Sequence, residues 1–270
     1  MYLHRFESVN YAINQKKIYI YNLGGFCMSG HSKWSNIKRK KEATDAVKAK
    51  IFTKIGREIT VCVKESGADP SINGRLKELI SKAKSNNVPN ENIERIIKKA
   101  SGENDKNNYV SMVYEGYGPN GVAMIVEALT DNKNRTAADV RHYFDKYGGN
   151  LGTTGCVSFM FKSKGIVIIE NNNLDEDVIM EDCFEFGVDD FNIEDDNVEI
   201  LCPPSNVNDL SEGLKLKGYN ILSSEISMIP DTYTTLSDEE SIKKMKILLE
   251  HLEDNDDIQN IWHNLEDFDY

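Results

Sequence analysis

The sequence predicts an α+β multidomain protein that opens with a basic helical bundle, and three observations lead there. Between Lys41 and Gly102 apolar residues recur at helical spacing. From Val110 onward, short runs rich in Val, Ile and Tyr alternate with amphipathic stretches, the pattern of α+β units. Charge divides at the same place: residues 1–102 hold 20 Lys and Arg against 9 Asp and Glu, while residues 103–270 hold 12 against 35. A chain of 270 residues can bury two or three small cores.

Residues 1–27 lack the basic start, apolar centre and small-residue cleavage site of a signal peptide, and are expected to be a disordered leader or an over-extended start ahead of Met28. The run from Gly30 to Lys41 follows, with His31, Lys33, Trp34 and four adjacent cations, Lys38, Arg39, Lys40 and Lys41. Adjacent cations repel one another and gain little from a core. They make sense opposite a polyanion, with the indole free to stack on a base.

From Lys41 to Ser66, Val47, Ile51, Ile55, Ile59 and Cys62 define one amphipathic helix, ended by Gly67-Ala68-Asp69-Pro70. Lys50, Lys54, Arg57 and Lys64 line another side of it, with Lys48 close by. A second helix is marked by Leu76, Leu79, Ile80 and Ala83, and a third by Ile93, Ile96, Ile97 and Ala100, after Pro89 and before Gly102. Arg75, Lys77, Lys82, Lys84, Arg95, Lys98 and Lys99 add charge outside these apolar stripes. Single lysines on helices are usually just solvated, but the whole set reads as a nucleic-acid-binding module. The candidate contacts are His31, Lys33, Trp34, Lys38, Arg39, Lys40, Lys41, Lys48, Lys50, Lys54 and Arg57.

Val110 to Tyr117 and Gly121 to Leu129 form a hairpin around Gly118-Pro119-Asn120-Gly121. A helix then opens at Asp131 to Thr136 with Ala137, Val140, Phe144 and Tyr147 inward, closed by Gly148-Gly149, and Cys156 to Phe161 reads as a strand. Asn134, Arg135 and Thr136 bring free N–H groups, a guanidinium and a hydroxyl to that helix start, which suits one phosphate; plain capping is the simpler use. Strand, helix, strand, strand, helix, strand follow over Ile166–Glu170, Asp175–Gly187, Asp189–Glu194, Val198–Cys202, Val207–Lys217 and Tyr219–Ile226, the ferredoxin-like order. A helix from Ser237 to Leu252 and a strand near Ile258 to Trp262 remain. If they complete the sheet begun at Val110, the acidic unit is an insertion.

Several function classes drop out. No apolar run approaches the ~18 residues of a membrane-spanning helix. The five cysteines are scattered without a Cys-x-x-Cys pair, so they read as core residues of a reducing, cytoplasmic protein. The five histidines have no metal-ligand spacing, and each reads as a surface or cap residue. Asp254, Asp256 and Asp257 lack the spacing of a calcium loop and read as solvating charge. No nucleophile elbow or phosphate-binding glycine loop is present, and Gly148-Gly149-Asn150-Leu151-Gly152 follows a helix where a dinucleotide fingerprint would open one; it reads as a tight turn. No catalytic residue, cofactor or metal is assigned. Between Gly165 and Leu214 there are fifteen acidic residues and no Lys or Arg, a stretch that a polyphosphate would repel.

Gly30-His31-Ser32-Lys33-Trp34, Lys50-Ile51-Phe52-Thr53-Lys54, Arg57-Glu58-Ile59, Asn92-Ile93-Glu94-Arg95, Tyr114-Glu115-Gly116-Tyr117-Gly118-Pro119, Thr130-Asp131-Asn132, Asn134-Arg135-Thr136, Val140-Arg141-His142 and Gly148-Gly149-Asn150-Leu151-Gly152 together resemble the YebC/PmpR family. Its mitochondrial branch includes a translational activator of cytochrome oxidase subunit one. The similarity spans about Met28 to Asn264. It implies an N-terminal helical bundle followed by two ferredoxin-like-type α+β domains, the third inserted into the second. The expected boundaries are 28–105 for the basic helical domain, 106–163 plus 225–270 for the middle domain and 164–224 for the acidic insertion.

The resemblance also implies a non-enzymatic regulator of gene expression. Family members are described as DNA-binding transcriptional regulators, while others resemble ribosome-associated factors that assist synthesis of difficult peptide sequences. Cations in a basic run and along a helix side suit backbone contact and shape more than base readout. The expected partner is therefore RNA, as rRNA or tRNA on the ribosome. The alternatives are DNA-backbone binding by a transcriptional regulator and a protein-interaction adaptor working through the acidic unit.

Overall fold

The computed structural model describes residues 45–102 and 108–266. The leader 1–27 and the basic run with His31, Lys33, Trp34, Lys38, Arg39, Lys40 and Lys41 lie outside the described residues. Three helices come first, α1 (Asp45–Ser66), α2 (Gly74–Ser85) and α3 (Asn90–Ala100). Their apolar stripes meet in one core that buries Ile55, Ile59 and Val63 against Leu76, Leu79, Ala83 and Ile93. Asn73 sets the turn between α1 and α2: its Oδ1 accepts from Leu76 N–H at 3.0 Å while its Nδ2 donates to the Gly67 carbonyl at 2.8 Å. One buried amide thus caps the start of α2 and ties it to the chain leaving α1.

After Gly102 the elements run β1 (Val110–Tyr117), β2 (Ala123–Thr130), α4 (Lys133–Lys146), β3 (Asn150–Leu151), β4 (Phe161–Glu170), α5 (Glu176–Cys183), β5 (Asp190–Ile193), β6 (Asn197–Cys202), α6 (Val207–Leu216), β7 (Ile221–Pro230), α7 (Glu239–Asp254) and β8 (Ile258–His263). They build two four-stranded sheets, ordered β3-β1-β2-β8 and β5-β6-β4-β7. The second lies between β3 and β8 in the chain, so the α+β unit that carries it is inserted into the first.

In the first sheet β1 and β2 pair as a hairpin from Val110 opposite Thr130 to Tyr117 opposite Ala123. β8 adds antiparallel to β2, with a bulge between Glu127 and Ala128, so the last strand does complete the sheet begun at Val110. Met124, Val126 and Ala128 face Val140 and Phe144 of α4 and Met245, Leu248 and Leu252 of α7. Ala123 and Ile125 face the other way, toward Val157, Phe161 and Trp262. Burial on both faces explains why β2 reads as a continuous apolar run instead of an alternation.

Two local readings change. Cys156 to Phe161 is not a strand: Ser158–Met160 forms a single 3-10 turn and β4 starts only at Phe161. The cause is Glu115 on β1, whose buried carboxylate accepts from the N–H groups of Gly155 (2.8 Å), Val157 (3.0 Å) and Ser158 (2.8 Å). Donors turned toward one side chain cannot serve a ladder. The glycine run after α4 also holds more than a turn. Gly148 takes φ +82° and a Cβ on Gly149 would stand 2.7 Å from the Tyr117 carbonyl. That closeness lets Asn150–Leu151 pair with β1 as β3.

Ser163–Ser227 form a compact unit of their own. Its chain order β4, α5, β5, β6, α6, β7 with sheet order β5-β6-β4-β7 is the ferredoxin-like topology. Val167, Ile169, Val198 and Ile200 pack under Ile179 of α5 and Leu210 and Leu214 of α6. Gly187, at φ +63°, ends the turn that follows α5.

Candidate nucleic-acid interface

The cations of α1 project from the side of the helix opposite its apolar stripe, and the structure shows where they go. Lys50 Nζ lies 2.6 Å from the Asp254 carboxylate, and Lys54 Nζ donates to the Glu253 carbonyl at 2.8 Å. Arg57 donates through Nη1 to Asp257 Oδ1 at 2.5 Å and to the Leu129 carbonyl at 3.2 Å. Its guanidinium also stacks 5.3 Å above the Tyr109 ring. Lys48 is not free either. The row expected to grip phosphate is therefore engaged by the C-terminal end of α7 and the turn into β8. A polyanion at Lys50, Lys54 or Arg57 would first have to displace these partners.

The helix start at Asn134, Arg135 and Thr136 does receive an anion, but an internal one. Asp257 Oδ2 accepts from Arg135 Nη2 at 2.7 Å, from Thr136 Oγ1 at 2.7 Å and from Thr130 Oγ1 at 3.2 Å. Asn132 supplies the cap, its Oδ1 accepting from Arg135 N–H at 3.1 Å. Arg135 reaches Asp131 as well, at 2.9 Å, while Asn134 is exposed. Asp257 is only 3% exposed. Burial pushes its pKa up, but the bonds from Arg135, Thr136 and Arg57 outweigh that and bring it to about 2. A phosphate site at this helix end is thus filled by the chain's own carboxylate.

Asp257 and Asp254 had read as solvating charge; their partners correct that. Asp257 joins α1, the end of β2 and the start of α4, and Asp254 joins α1 again. The contacts span 121 to 204 positions of chain, so no local spacing could reveal them. Glu115 was missed for the same reason. Burial raises its pKa, but the three backbone N–H bonds, with the Ser158 side chain, outweigh that and leave it lowered.

Within the helical bundle exposed cations also sit on α2 and α3; outside it Lys133, Arg141 and Lys146 of α4, Lys215 of α6 and Lys243 of α7 are exposed too. Lys77, Lys84, Arg95, Lys98 and Lys99 are exposed, and among the described residues none pairs with a carboxylate. Arg75 and Lys82 pair with Glu78 and Glu58. These helices end in cations, Lys82 and Lys84 in the last turn of α2 and Lys98 and Lys99 in that of α3. That placement complements the helix dipoles and still leaves the ammonium groups in solvent.

Other candidate chemistries find little support in the geometry. Among the described residues no group of three or more His, Cys, Asp or Glu could hold a metal ion. Cys183 and Cys202 are buried, and desolvation lifts their thiols to about 12 and about 11, which keeps them protonated and unreactive. His263, expected as a surface or cap residue, lies partly buried on β8, where desolvation lowers its pKa to about 4. No helix of the described residues is long and apolar enough to cross a membrane.

Comparison with known proteins covers nearly the whole described chain. The TACO1/YebC protein N-terminal domain matches residues 32–103, and the TACO1/YebC second and third domain matches residues 109–265. A probable transcriptional regulatory protein of Acetivibrio thermocellus is 56% identical over 238 residues, covering 88% of this chain and 98% of that protein. A second protein of the same name, from Ruminiclostridium cellulolyticum, is 55% identical over 240 residues, 88% of this chain and 97% of that one. The crystal structure of a conserved hypothetical protein from Aquifex aeolicus superposes with a TM-score of 0.73 at 40% identity, covering 82% of this chain and 91% of that one. With both domain matches and relatives above half identity, the chain belongs to the TACO1/YebC family.

Proposed function

We propose that this protein is a non-enzymatic, nucleic-acid-binding regulator of gene expression that grips phosphate backbone with its basic helical domain. The observation that carries this reading is the set of exposed cations on α2 and α3, without carboxylate partners among the described residues, in a chain whose net charge is -12. An acidic protein whose basic excess lies in its N-terminal part, 20 Lys and Arg against 9 Asp and Glu over residues 1–102, has a local attraction for polyanions that its overall charge conceals. The basic run from His31 to Lys41 extends the same domain and belongs to the proposed contact surface.

The preferred target is RNA on the ribosome, with a role in translation. Charge along helix sides suits backbone and shape more than base readout. The names of the bacterial relatives favour the second reading, a transcriptional regulator on DNA. Crosslinking in cells, with sequencing of the attached nucleic acid, separates them. Adducts to rRNA or tRNA are expected; enrichment of promoter DNA would favour transcription. A basic protein partner that survives nuclease treatment would point instead to the acidic unit as an adaptor.

In vitro, neutralising about six phosphates on a duplex should make log affinity fall with log salt at a slope near -5, and somewhat less on single strands. Replacing Lys38, Arg39, Lys40 and Lys41 by Glu should abolish binding.

A further inference from the structure

α1 and α3 do not close on each other along their whole length. On α1, Phe52, Gly56 and Thr60 fall one turn apart, and on α3, Asn92, Ile96 and Lys99 form the facing row. Gly56 lets α3 come close at one point: a Cβ there would stand 3.1 Å from Ile96 Cδ1. Around this close contact lies an open cleft of about 350 Å³, with Gly56, Val88 and Ile96 in its lining. Its rim carries Arg57, Arg95 and Lys99, and among the described residues no acidic one lines it. Phe52 and Tyr109 supply aromatic walls, both partly exposed.

Each part has a defined role. Arg57 is fixed by Asp257 and cannot leave for a ligand, but its guanidinium holds the Tyr109 ring at the mouth of the cleft. Arg95 and Lys99 sit one turn apart on α3, exposed, with no carboxylate partner among the described residues. Arg95 is steadied by Asn92 Oδ1 at 2.9 Å. Two aromatic rings beside apolar lining suit a flat ring, and two exposed cations at the edge suit the phosphate attached to it. The volume lies at the lower end of small-ligand sites, about the size for one nucleotide.

We infer that this cleft takes one unpaired nucleotide of a single-stranded nucleic acid, its base against Phe52 and Tyr109 and its phosphate on Arg95 and Lys99. The assignment rests on the nucleic-acid reading above and adds a place and a strandedness to it. A base paired inside a duplex cannot enter. The cleft therefore discriminates single strands, or the unpaired loops of a folded RNA, from duplex, while the cations outside it do not.

The test uses the full chain and three labelled probes: an oligouridine, an oligodeoxythymidine of equal length and a mixed-sequence duplex. Arg95→Ala with Lys99→Ala should weaken binding of the single strands roughly tenfold and of the duplex much less. The matched control, Lys84→Ala with Lys98→Ala, removes the same charge outside the cleft and should weaken all three probes alike. Tyr109→Ala should reduce single-strand affinity about tenfold, and Tyr109→Phe should restore it, since stacking needs the ring and not the hydroxyl. Cleft-dependent binding of either single strand supports the assignment. Equal losses in the two double variants, or single-strand binding indifferent to both Tyr109 changes, would overturn it and leave nucleic-acid binding standing. A wild-type chain that binds none of the probes would overturn both.

Discussion

Taking the charge from Asp257 while keeping its shape leaves Arg57 without its carboxylate in a place where the Arg57 side chain is only 16% exposed. Breaking one side of such a buried pair exposes the full desolvation cost of the other, so Asp257→Asn should lower unfolding free energy by about 3 kcal/mol in urea titration. Arg135→Gln should cost far less, because 47% of the Arg135 side chain is in solvent and water replaces the lost carboxylate. The pH dependence has a definite sign. Asp257 has a folded pKa of about 2 against an ordinary 3.8. Its contribution is fully present above about pH 4 and is lost as pH falls toward 2, on the order of 2 kcal/mol. Acid titration of the wild type and Asp257→Asn should converge over that window. Parallel curves would show that Asp257 does not carry the linkage. Glu115→Gln gives a second check: it keeps the side chain but weakens acceptance from three N–H groups, and should cost about 2 kcal/mol.

Among the elements, the close approach of β3 to β1 depends on Gly149. An added methyl would press on the Tyr117 carbonyl at 2.7 Å and on Phe144 at 3.1 Å, so Gly149→Ala should destabilise by about 2 kcal/mol. A neutral effect in thermal unfolding would mean that β3 can shift without cost. Helices α1 to α3 were legible in the sequence because their stripes, caps and breakers are local signals: Leu76, Leu79 and Ala83 sit one turn apart, and Pro89 and Gly102 bracket α3. The ferredoxin-like order of the inserted unit was legible for the same reason, each strand being bounded by polar turns. The turn at Ser158–Met160 was not, since Val157, Phe159 and Phe161 alternate like a strand and only Glu115, some forty residues away, redirects the N–H groups of Gly155, Val157 and Ser158. The fate of Lys50, Lys54 and Arg57 was hidden too. A cation row looks alike in sequence whether its partner is phosphate or a carboxylate two hundred residues later.

For the whole molecule, the division of charge between residues 1–102 and 103–270 has two uses. Part of the positive charge, on α1, meets carboxylates and carbonyls at the end of α7 and the turn into β8, which fastens the helical bundle to the first sheet. Another part, Lys77, Lys84, Arg95, Lys98 and Lys99 on α2 and α3, stays in solvent and is available to a polyanion. The two sets should separate under mutation, the first changing stability and the second changing affinity. The most direct measurement is the salt-dependent affinity of the full chain for a structured RNA, compared between wild type and a variant with Lys77, Lys84, Lys98 and Lys99 changed to Glu. The account predicts that the variant unfolds at the wild-type urea midpoint but binds at least a hundredfold more weakly, with a shallower salt slope. Unchanged affinity and slope in a correctly folded variant would contradict it.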